Sequence, residues 1–135
     1  MSRPVALVTG GGRGIGAAVC RRLAADGYDI LLTYTTSSRP AEVVSSSIRA
    51  TGGDALAVKV DCADEGEVAL LASHPWMSRT IDVLVLNHGR YDRTPAAELE
   101  VAQVDRTMGV NFRGAFLVWS ANASSTSTRS PSARA

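Results

Sequence analysis

Apolar and polar residues alternate along the chain in blocks of two lengths. Short apolar runs predict four β-strands, and longer stretches with apolar residues at helical spacing predict four α-helices. Strands that are apolar throughout and are separated by helices are typical of a parallel sheet covered on both faces. The predicted strands are residues 5–9, 30–34, 55–60 and 81–86, and the predicted helices are residues 16–25, 40–50, 64–73 and 98–119.

Some predicted helix ends carry local signals. Asp64 is a suitable N-cap for the third helix, and Glu65 and Glu67 suit its first turn because the helix dipole favours negative charge there. Gly109 and Gly114 lower the helix propensity of the last predicted helix. The apolar pattern of that helix nevertheless continues past both glycines to Trp119.

The apolar pattern stops after Trp119. Residues 120–135 contain six serines, four alanines and no larger aliphatic or aromatic side chain. Such a segment cannot bury enough apolar surface to offset the entropy lost on ordering. We therefore expect one domain at residues 1–119, followed by a disordered tail rich in Ser, Ala, Thr and Arg at residues 120–135.

Composition argues against several classes of function. A formal net charge of +1 with 45% hydrophobic residues is typical of an ordinary globular protein, with no nucleic-acid partner expected. No apolar run is long enough to cross a bilayer, and no signal-like segment follows the N-terminus, so we expect no membrane association and a cytoplasmic location. Cys20 and Cys62 show no ligand spacing to each other or to the histidines, so neither a disulfide framework nor a metal site is predicted.

Glycines cluster between the first predicted strand and the first predicted helix. A glycine-rich turn there lets a pyrophosphate approach the free amides of the helix N-terminus, where the helix dipole favours an anion. We expect Gly10 to form the tight exit from the strand, Gly14 to allow close approach of the phosphates, and Gly16 to let the helix pack on the strand. Gly12 and Gly14, with Ala17, also fit the looser dinucleotide-binding pattern. The alternative is a flexible loop that binds no ligand.

Four motifs, in this order, resemble those of the short-chain dehydrogenase/reductase family. They are TGGGRGIG at residues 9–16, VDCAD at 60–64, LNHG at 86–89 and MGVNFRGAF at 108–116, within a resemblance that runs from residue 4 to about residue 118. The resemblance implies a Rossmann-type α/β fold, a doubly wound parallel sheet in three αβα layers with about four strands present. It also implies NAD(P)-dependent chemistry between a carbonyl group and an alcohol.

The same resemblance implies roles for residues near the ends of the strands. Asp61 would accept a hydrogen bond from the adenine amino group, and the Cys62 amide would reach an adenine ring nitrogen. Asn87 and Gly89 would close over the ribose, and Ile15 would line the route to the nicotinamide. This placement agrees with the rule that open α/β sheets bind ligands at the carboxyl ends of their strands. For Asp61, the alternative is a turn or helix-capping carboxylate.

His88 stands where the family usually has a small residue, beside the expected cofactor. We expect this side chain to form a bulky wall of the site. The alternative is a catalytic role, because a histidine in a cleft can transfer protons near neutral pH.

The residues after the second predicted strand favour NADP over NAD. An NAD site needs a carboxylate there to accept hydrogen bonds from the ribose hydroxyls, and Tyr34 and the following threonines offer none. Arg13 and the segment at residues 35–39, which contains Thr35, Ser37 and Arg39, could instead bind a 2′-phosphate, because a guanidinium presents a planar fork of donors. The alternative is that Arg13 is a solvated surface cation and that residues 35–38 form a polar turn.

Most of the family's catalytic residues have no counterpart in this chain. The family uses a tyrosine, a lysine four residues later, a serine and an asparagine, of which only the asparagine is identifiable, as Asn111. The single lysine is Lys59, and the residue four positions before it is Ala55, so the chain contains no Tyr-x-x-x-Lys motif. A phenol without a nearby cation keeps a pKa of about 10 and is poorly matched to proton transfer at neutral pH.

These observations predict the cofactor-binding half of an NADP(H)-dependent oxidoreductase, truncated or frame-shifted after about residue 119 and inactive alone. Completed by the missing half, it would act on a small carbonyl or alcohol substrate, such as a ketone or 3-oxoacyl compound, and it could form homo-oligomers. Two alternatives stay open: a non-catalytic NADP-binding or partner-binding module, and a truncation product without function.

Overall fold

The computed structural model describes residues 2–127, which form one parallel sheet with helices on both of its faces. The predicted α/β class, the parallel sheet and the three αβα layers are confirmed. The strands are β1 (Val5–Thr9), β2 (Asp29–Tyr34), β3 (Ala55–Lys59) and β4 (Ile81–Leu86). The helices are α1 (Gly14–Ala25), α2 (Ser38–Ala50), α3 (Glu65–Ala72), α4 (Val101–Met108) and α5 (Gly114–Ser127).

The strand order is β3-β2-β1-β4, so β1 lies in the middle of the sheet. The chain first moves outward from β1 to β3 and then crosses back to the other side of β1. The carboxyl ends of β1 and β4 therefore meet at a topological switch point, which is where open α/β sheets place their ligands.

Both faces of β1 and β2 are buried, and this explains why these two strands are mostly apolar. Successive residues of a strand point to opposite faces. Val8 accordingly packs in a cluster with Cys20 of α1 and Val44 of α2. Leu7 packs in a second cluster with Leu71 of α3 and with residues of α5. Every residue of β1 is at most 1% exposed.

The predicted bounds differ from the structure by one or two residues at several ends. The α1 helix begins at Gly14 rather than residue 16, β2 begins at Asp29 rather than residue 30, and α2 begins at Ser38 rather than residue 40. Pro40 thus lies inside the first turn of α2, where its missing N–H costs nothing because those amides have no partner within the helix. Asp64 caps α3 as predicted, because its carboxylate accepts a hydrogen bond from the Glu67 amide at 2.9 Å.

The last predicted helix, over residues 98–119, is the element that differs most. It is interrupted by a π-helical turn, Gly109–Arg113, which separates α4 from α5. The α5 helix then continues to Ser127, past the expected end of the domain. Ala121, two residues beyond Trp119, packs against the cluster that contains Leu71. The part of the predicted tail up to Ser127 is therefore helical, whereas residues 128–135 lie outside the described residues.

None of the helices within residues 2–127 combines the length and the apolar character needed to span a bilayer.

Candidate dinucleotide site

The turn between β1 and α1 depends on glycine at two positions that the sequence singled out. Gly10 has φ +64°, a left-handed conformation that side chains disfavour, at the exit from β1. A β-carbon on Gly16 would overlap the Gly10 carbonyl oxygen and would lie 2.5 Å from the Asn87 side-chain nitrogen. The first turn of α1 therefore packs directly on the ends of β1 and β4.

The N-terminus of α1 offers free amides to an anion. Its N-cap residue, Arg13, is extended and makes no side-chain capping hydrogen bond, and the first turn contains no acidic residue. The first amides of a helix have no partner within the helix, and the helix dipole adds partial positive charge at the same place. Gly14, also left-handed at φ +56°, has open space around it. The geometry therefore leaves room for a phosphate group against these amides.

A buried threonine joins β1 to the segment after β4. Thr9 is fully buried, and its hydroxyl oxygen accepts hydrogen bonds from the amides of Asn87 at 3.1 Å and His88 at 3.2 Å. The Asn87 side chain donates to the Gly10 carbonyl at 3.1 Å. These bonds place Asn87 beside the glycine turn. Thr9 is part of the first motif, but the sequence alone assigned it no role. The signal that could have revealed this role is the position of a polar residue at the end of an apolar strand.

His88 has a partner on each of its ring nitrogens. Its Nε2 lies 3.0 Å from the Val110 carbonyl, and its Nδ1 lies 2.6 Å from the Thr9 hydroxyl oxygen. Because a carbonyl can only accept, Nε2 carries the proton and Nδ1 accepts from the threonine in the neutral ring. Burial lowers the pKa of His88. These contacts favour the predicted wall residue over a proton-transfer group.

Gly114 makes room for the His88 ring, and sequence reasoning missed this role. A β-carbon on Gly114 would lie 3.1 Å from His88 Nε2 and 3.0 Å from the Cys62 carbonyl oxygen. The signal in the sequence was His88 itself, because a large ring in place of a small residue needs extra space from a neighbouring position.

Asn111 lies in the π-helical turn and holds the loop after β4 in place. Its side-chain oxygen accepts from the Arg90 amide at 2.7 Å, and its side-chain nitrogen donates to the Arg90 carbonyl at 2.8 Å. Both polar atoms of the amide are thus used locally, next to Gly89.

The Asp61 carboxylate takes part in a local turn. Its Oδ1 accepts a hydrogen bond from the Ala63 amide at 2.9 Å, while the Asp61 amide donates to the Glu67 carboxylate. The hydrogen bond from the Ala63 amide is the one expected if Asp61 acts as a turn carboxylate. The hydrogen bond from the adenine amino group to Asp61 stays a prediction. The neighbouring Cys62 is buried, and burial raises the pKa of its thiol to about 11, so it is an inert residue at neutral pH.

A cleft of about 240 Å³ opens at the carboxyl ends of β1, β2 and β4. Most of the predicted site residues line it: Gly10, Gly12, Arg13, Tyr34, Thr35, Ser37, Asn87, His88 and Gly89. The predicted residues outside this lining are Gly14, Ile15, Gly16, Asp61, Cys62 and Asn111. Among the described residues, the cleft lining contains no carboxylate, and Arg13 is its one side chain with a permanent charge. The cleft therefore favours an anionic ligand.

Stability is expected to fall as the pH is lowered, because His88 is held neutral. Burial places its folded-state pKa below the value of about 6.5 in the unfolded chain, so the unfolded chain takes up the proton first. The stability that neutral His88 contributes is fully present above the pKa of the unfolded chain, and it is lost as the pH falls through the folded-state pKa. Urea unfolding of the wild type and of His88→Asn between about pH 7.5 and 5 measures this. The wild type should lose more stability than the variant, and equal losses would contradict the assignment.

Comparisons with known proteins converge on one family. A family model described as short chain dehydrogenase matches residues 4–130. Elsinochrome reductase 1 from Elsinoe fawcettii is 35% identical over 115 residues, which are 84% of this chain and 43% of that protein. The chain spans about half the length of the curated relatives it matches.

Solved structures share this fold over most of the described chain. A short chain dehydrogenase from Burkholderia cenocepacia, solved in complex with NADP, is 36% identical with a TM-score of 0.83, covering 90% of this chain and 50% of that one. A blue fluorescent protein from a metagenomic library, solved in complex with NADPH, is 39% identical with a TM-score of 0.82 and the same coverage.

Proposed function

The chain belongs to the short-chain dehydrogenase family, and from this premise we propose that it is the cofactor-binding portion of an NADP(H)-dependent oxidoreductase. The complete enzyme would interconvert a ketone or 3-oxoacyl group and an alcohol. The observation that carries the proposal is the meeting of an uncapped helix N-terminus with a cleft whose lining, within residues 2–127, contains no carboxylate. Such a site fits a ligand with phosphate groups along its length.

The residues present fit a dinucleotide. The amides of the first turn of α1 would hold the pyrophosphate, and Gly16 and Asn87 keep this turn close to the strand ends. Gly10 and Gly89 would leave space for the ribose at the switch point. When bound, the cofactor would supply the hydride, and the residues of this chain would bind it and exclude water from its phosphates.

NADP is proposed over NAD because of the charges around the end of β2. Tyr34, Thr35 and Ser37 line the cleft there without any carboxylate for ribose hydroxyls, and Arg13 faces the same space. Two of the solved relatives described above are complexes with NADP or NADPH. These complexes support the same choice for this chain.

The binding proposal predicts a selective effect of Arg13→Gln. In a fluorescence titration, the wild type should bind NADPH more tightly than NADH. The variant should raise the Kd for NADPH by about tenfold, because a charge-assisted hydrogen bond to phosphate contributes about 1.5–3 kcal/mol. Its Kd for NADH should change by less than about twofold. A wild type that binds neither coenzyme would refute the proposed function.

A second candidate is a non-catalytic NADP-binding module, which the local contacts of Asn111 favour. Asn111, the one residue matching a catalytic position of the family, uses both polar atoms of its side chain in hydrogen bonds to the Arg90 backbone. A turnover assay of this chain with NADPH and simple ketones separates the candidates. The module predicts binding without turnover.

The proposal includes self-association and a cytoplasmic location. Exposed apolar residues follow one another at intervals of three or four along α4 and the π-helical turn. They are Val101, Val104, Met108 and Phe112. Exposed apolar patches of this kind commonly mark contact surfaces, so a second copy of the chain is a suitable partner.

A further inference from the structure

A second cavity, of about 480 Å³, lies beside the main cleft between α1 and α2. It shares Gly12, Arg13 and Pro40 with the cleft, so the two spaces are direct neighbours. Its charged lining residues are Arg13, Arg21 and Arg39, and among the described residues no acidic side chain lines it. We call it the α1–α2 cavity.

The three arginines reach the α1–α2 cavity from two different helices. Arg13 is the N-cap of α1 and Arg21 lies eight positions later, so both fall on the helix face that Ala17 shares. Arg39 comes from the first turn of α2, on the opposite side of the cavity. Ala17 and Ala18 contribute small side chains to the same lining.

These positive charges have no acidic partner. Within residues 2–127, neither Arg13, Arg21 nor Arg39 forms an ion pair. The acids nearest along these two helices are already paired, Asp26 with Arg22 at 3.0 Å and Glu42 with Arg49.

Uncompensated charge is therefore concentrated at this cavity. Like charges around one cavity repel each other, and clefts lined by one sign of charge attract counter-ions. The α2 helix adds to this field, because it begins without a capping side chain or an acidic residue in its first turn.

We infer that Arg21 is a specificity-determining residue, a third cation that binds the 2′-phosphate of NADP(H) from the α1–α2 cavity. This rests on the proposed function. A phosphate monoester carries a charge of about −1.5 to −2 at neutral pH, more than Arg13 on the shared rim balances alone. Arg39 and Arg21 supply the remaining charge from the two walls. A long guanidinium side chain without a competing acid is free to reach the anion.

The test compares Arg21→Gln with Arg22→Gln, a matched control. Arg22 is the next residue of the same helix and loses the same charge, but it is paired with Asp26 and does not line the cavity. The probes are NADPH against NADH, and 2′,5′-ADP against 5′-ADP. Arg21→Gln should raise the Kd for NADPH and 2′,5′-ADP by about three- to tenfold, and the Kd for NADH and 5′-ADP by less than about twofold.

A salt titration adds a readout that a merely structural role would not move. Arg21→Gln should make the dependence of log Kd for NADPH on log salt concentration shallower, because one cation fewer faces the ligand. Arg22→Gln should leave both the affinity and this slope unchanged.

The outcomes separate the inference from the proposed function. If both coenzymes bind but Arg21→Gln and Arg22→Gln behave alike, the role of Arg21 is refuted and the dinucleotide site stands. If the wild type binds NADPH and NADH equally well, the 2′-phosphate site is refuted in the same way. If no coenzyme binds, the proposed function and this inference both fail.

Discussion

Replacing Gly16 with alanine is expected to raise the Kd for NADPH by more than about tenfold and to lower the free energy of unfolding by about 1–3 kcal/mol. The added β-carbon would overlap the Gly10 carbonyl oxygen and crowd the Asn87 side chain. Gly10 directly follows the buried strand β1, and the Asn87 side chain is hydrogen-bonded to the Gly10 carbonyl, so a shift of either neighbour disturbs the end of the sheet. The first turn of α1 must therefore shift, and its amides shift with it.

Gly109→Ala is the control for this substitution. Gly109 lies at the start of the π-helical turn with an ordinary right-handed φ of −59°, and nothing lies within 4 Å of an added β-carbon. Alanine is favoured over glycine in helices by about 1 kcal/mol, so this variant should keep or gain stability and bind NADPH normally. Calorimetry and coenzyme titration measure both properties. Wild-type affinity and stability in Gly16→Ala would show that α1 does not approach the strands as described.

Replacing Asp29 with alanine is expected to lower the free energy of unfolding by about 2–3 kcal/mol. Asp29 is only 6% exposed. Its carboxylate pairs with Arg3 at 3.0 Å and Arg79 at 2.7 Å, and it accepts a hydrogen bond from the Asp54 amide. Without it, two neighbouring guanidinium groups lose their shared acid. The expected loss is below the range for fully buried pairs because both arginines are about one-third exposed.

Asp26→Ala is the matched control, since it removes an aspartate whose pair with Arg22 is exposed. It should change stability by less than about 1 kcal/mol. Asp29 lies at the opposite end of the sheet from the cleft, so Asp29→Ala should still bind NADPH where it remains folded. Urea unfolding measures the free energy of unfolding of the two variants. Equal decreases in Asp29→Ala and Asp26→Ala would contradict the central role given to Asp29.

The layout of the sheet could be predicted because it depends on local patterns. A strand that is covered on both faces is mostly apolar, as β1 is before Thr9, and such runs are visible in the sequence. The glycine turn was visible for a similar reason. Glycine is favoured at residue 10 because φ is positive there, and at residue 16 because a β-carbon would overlap the Gly10 carbonyl oxygen.

The remaining features depend on contacts between residues far apart in the chain. The sequence shows His88 as a departure from a motif, but only the fold reveals that Thr9 and Val110 hold its ring. Arg21 looks like any other exposed helical arginine until α2 is placed beside α1.

The α5 helix was missed beyond Trp119 for a different reason. Its small residues carry no apolar pattern of their own, and they become helical where Ala121 meets the cluster around Leu71. Tertiary packing here overrides a composition that is typical of a disordered tail.

The central claim is that the pyrophosphate of a nicotinamide dinucleotide binds to the amides at the start of α1. Amide chemical shifts of the ¹⁵N-labelled chain, recorded during titration with NADPH, test it most directly. The claim predicts saturable changes that are largest at Gly14, Ile15 and Gly16, with smaller ones at Gly10 and Asn87. Saturating NADPH that leaves these signals in place, or that moves only residues far from the cleft, would contradict it.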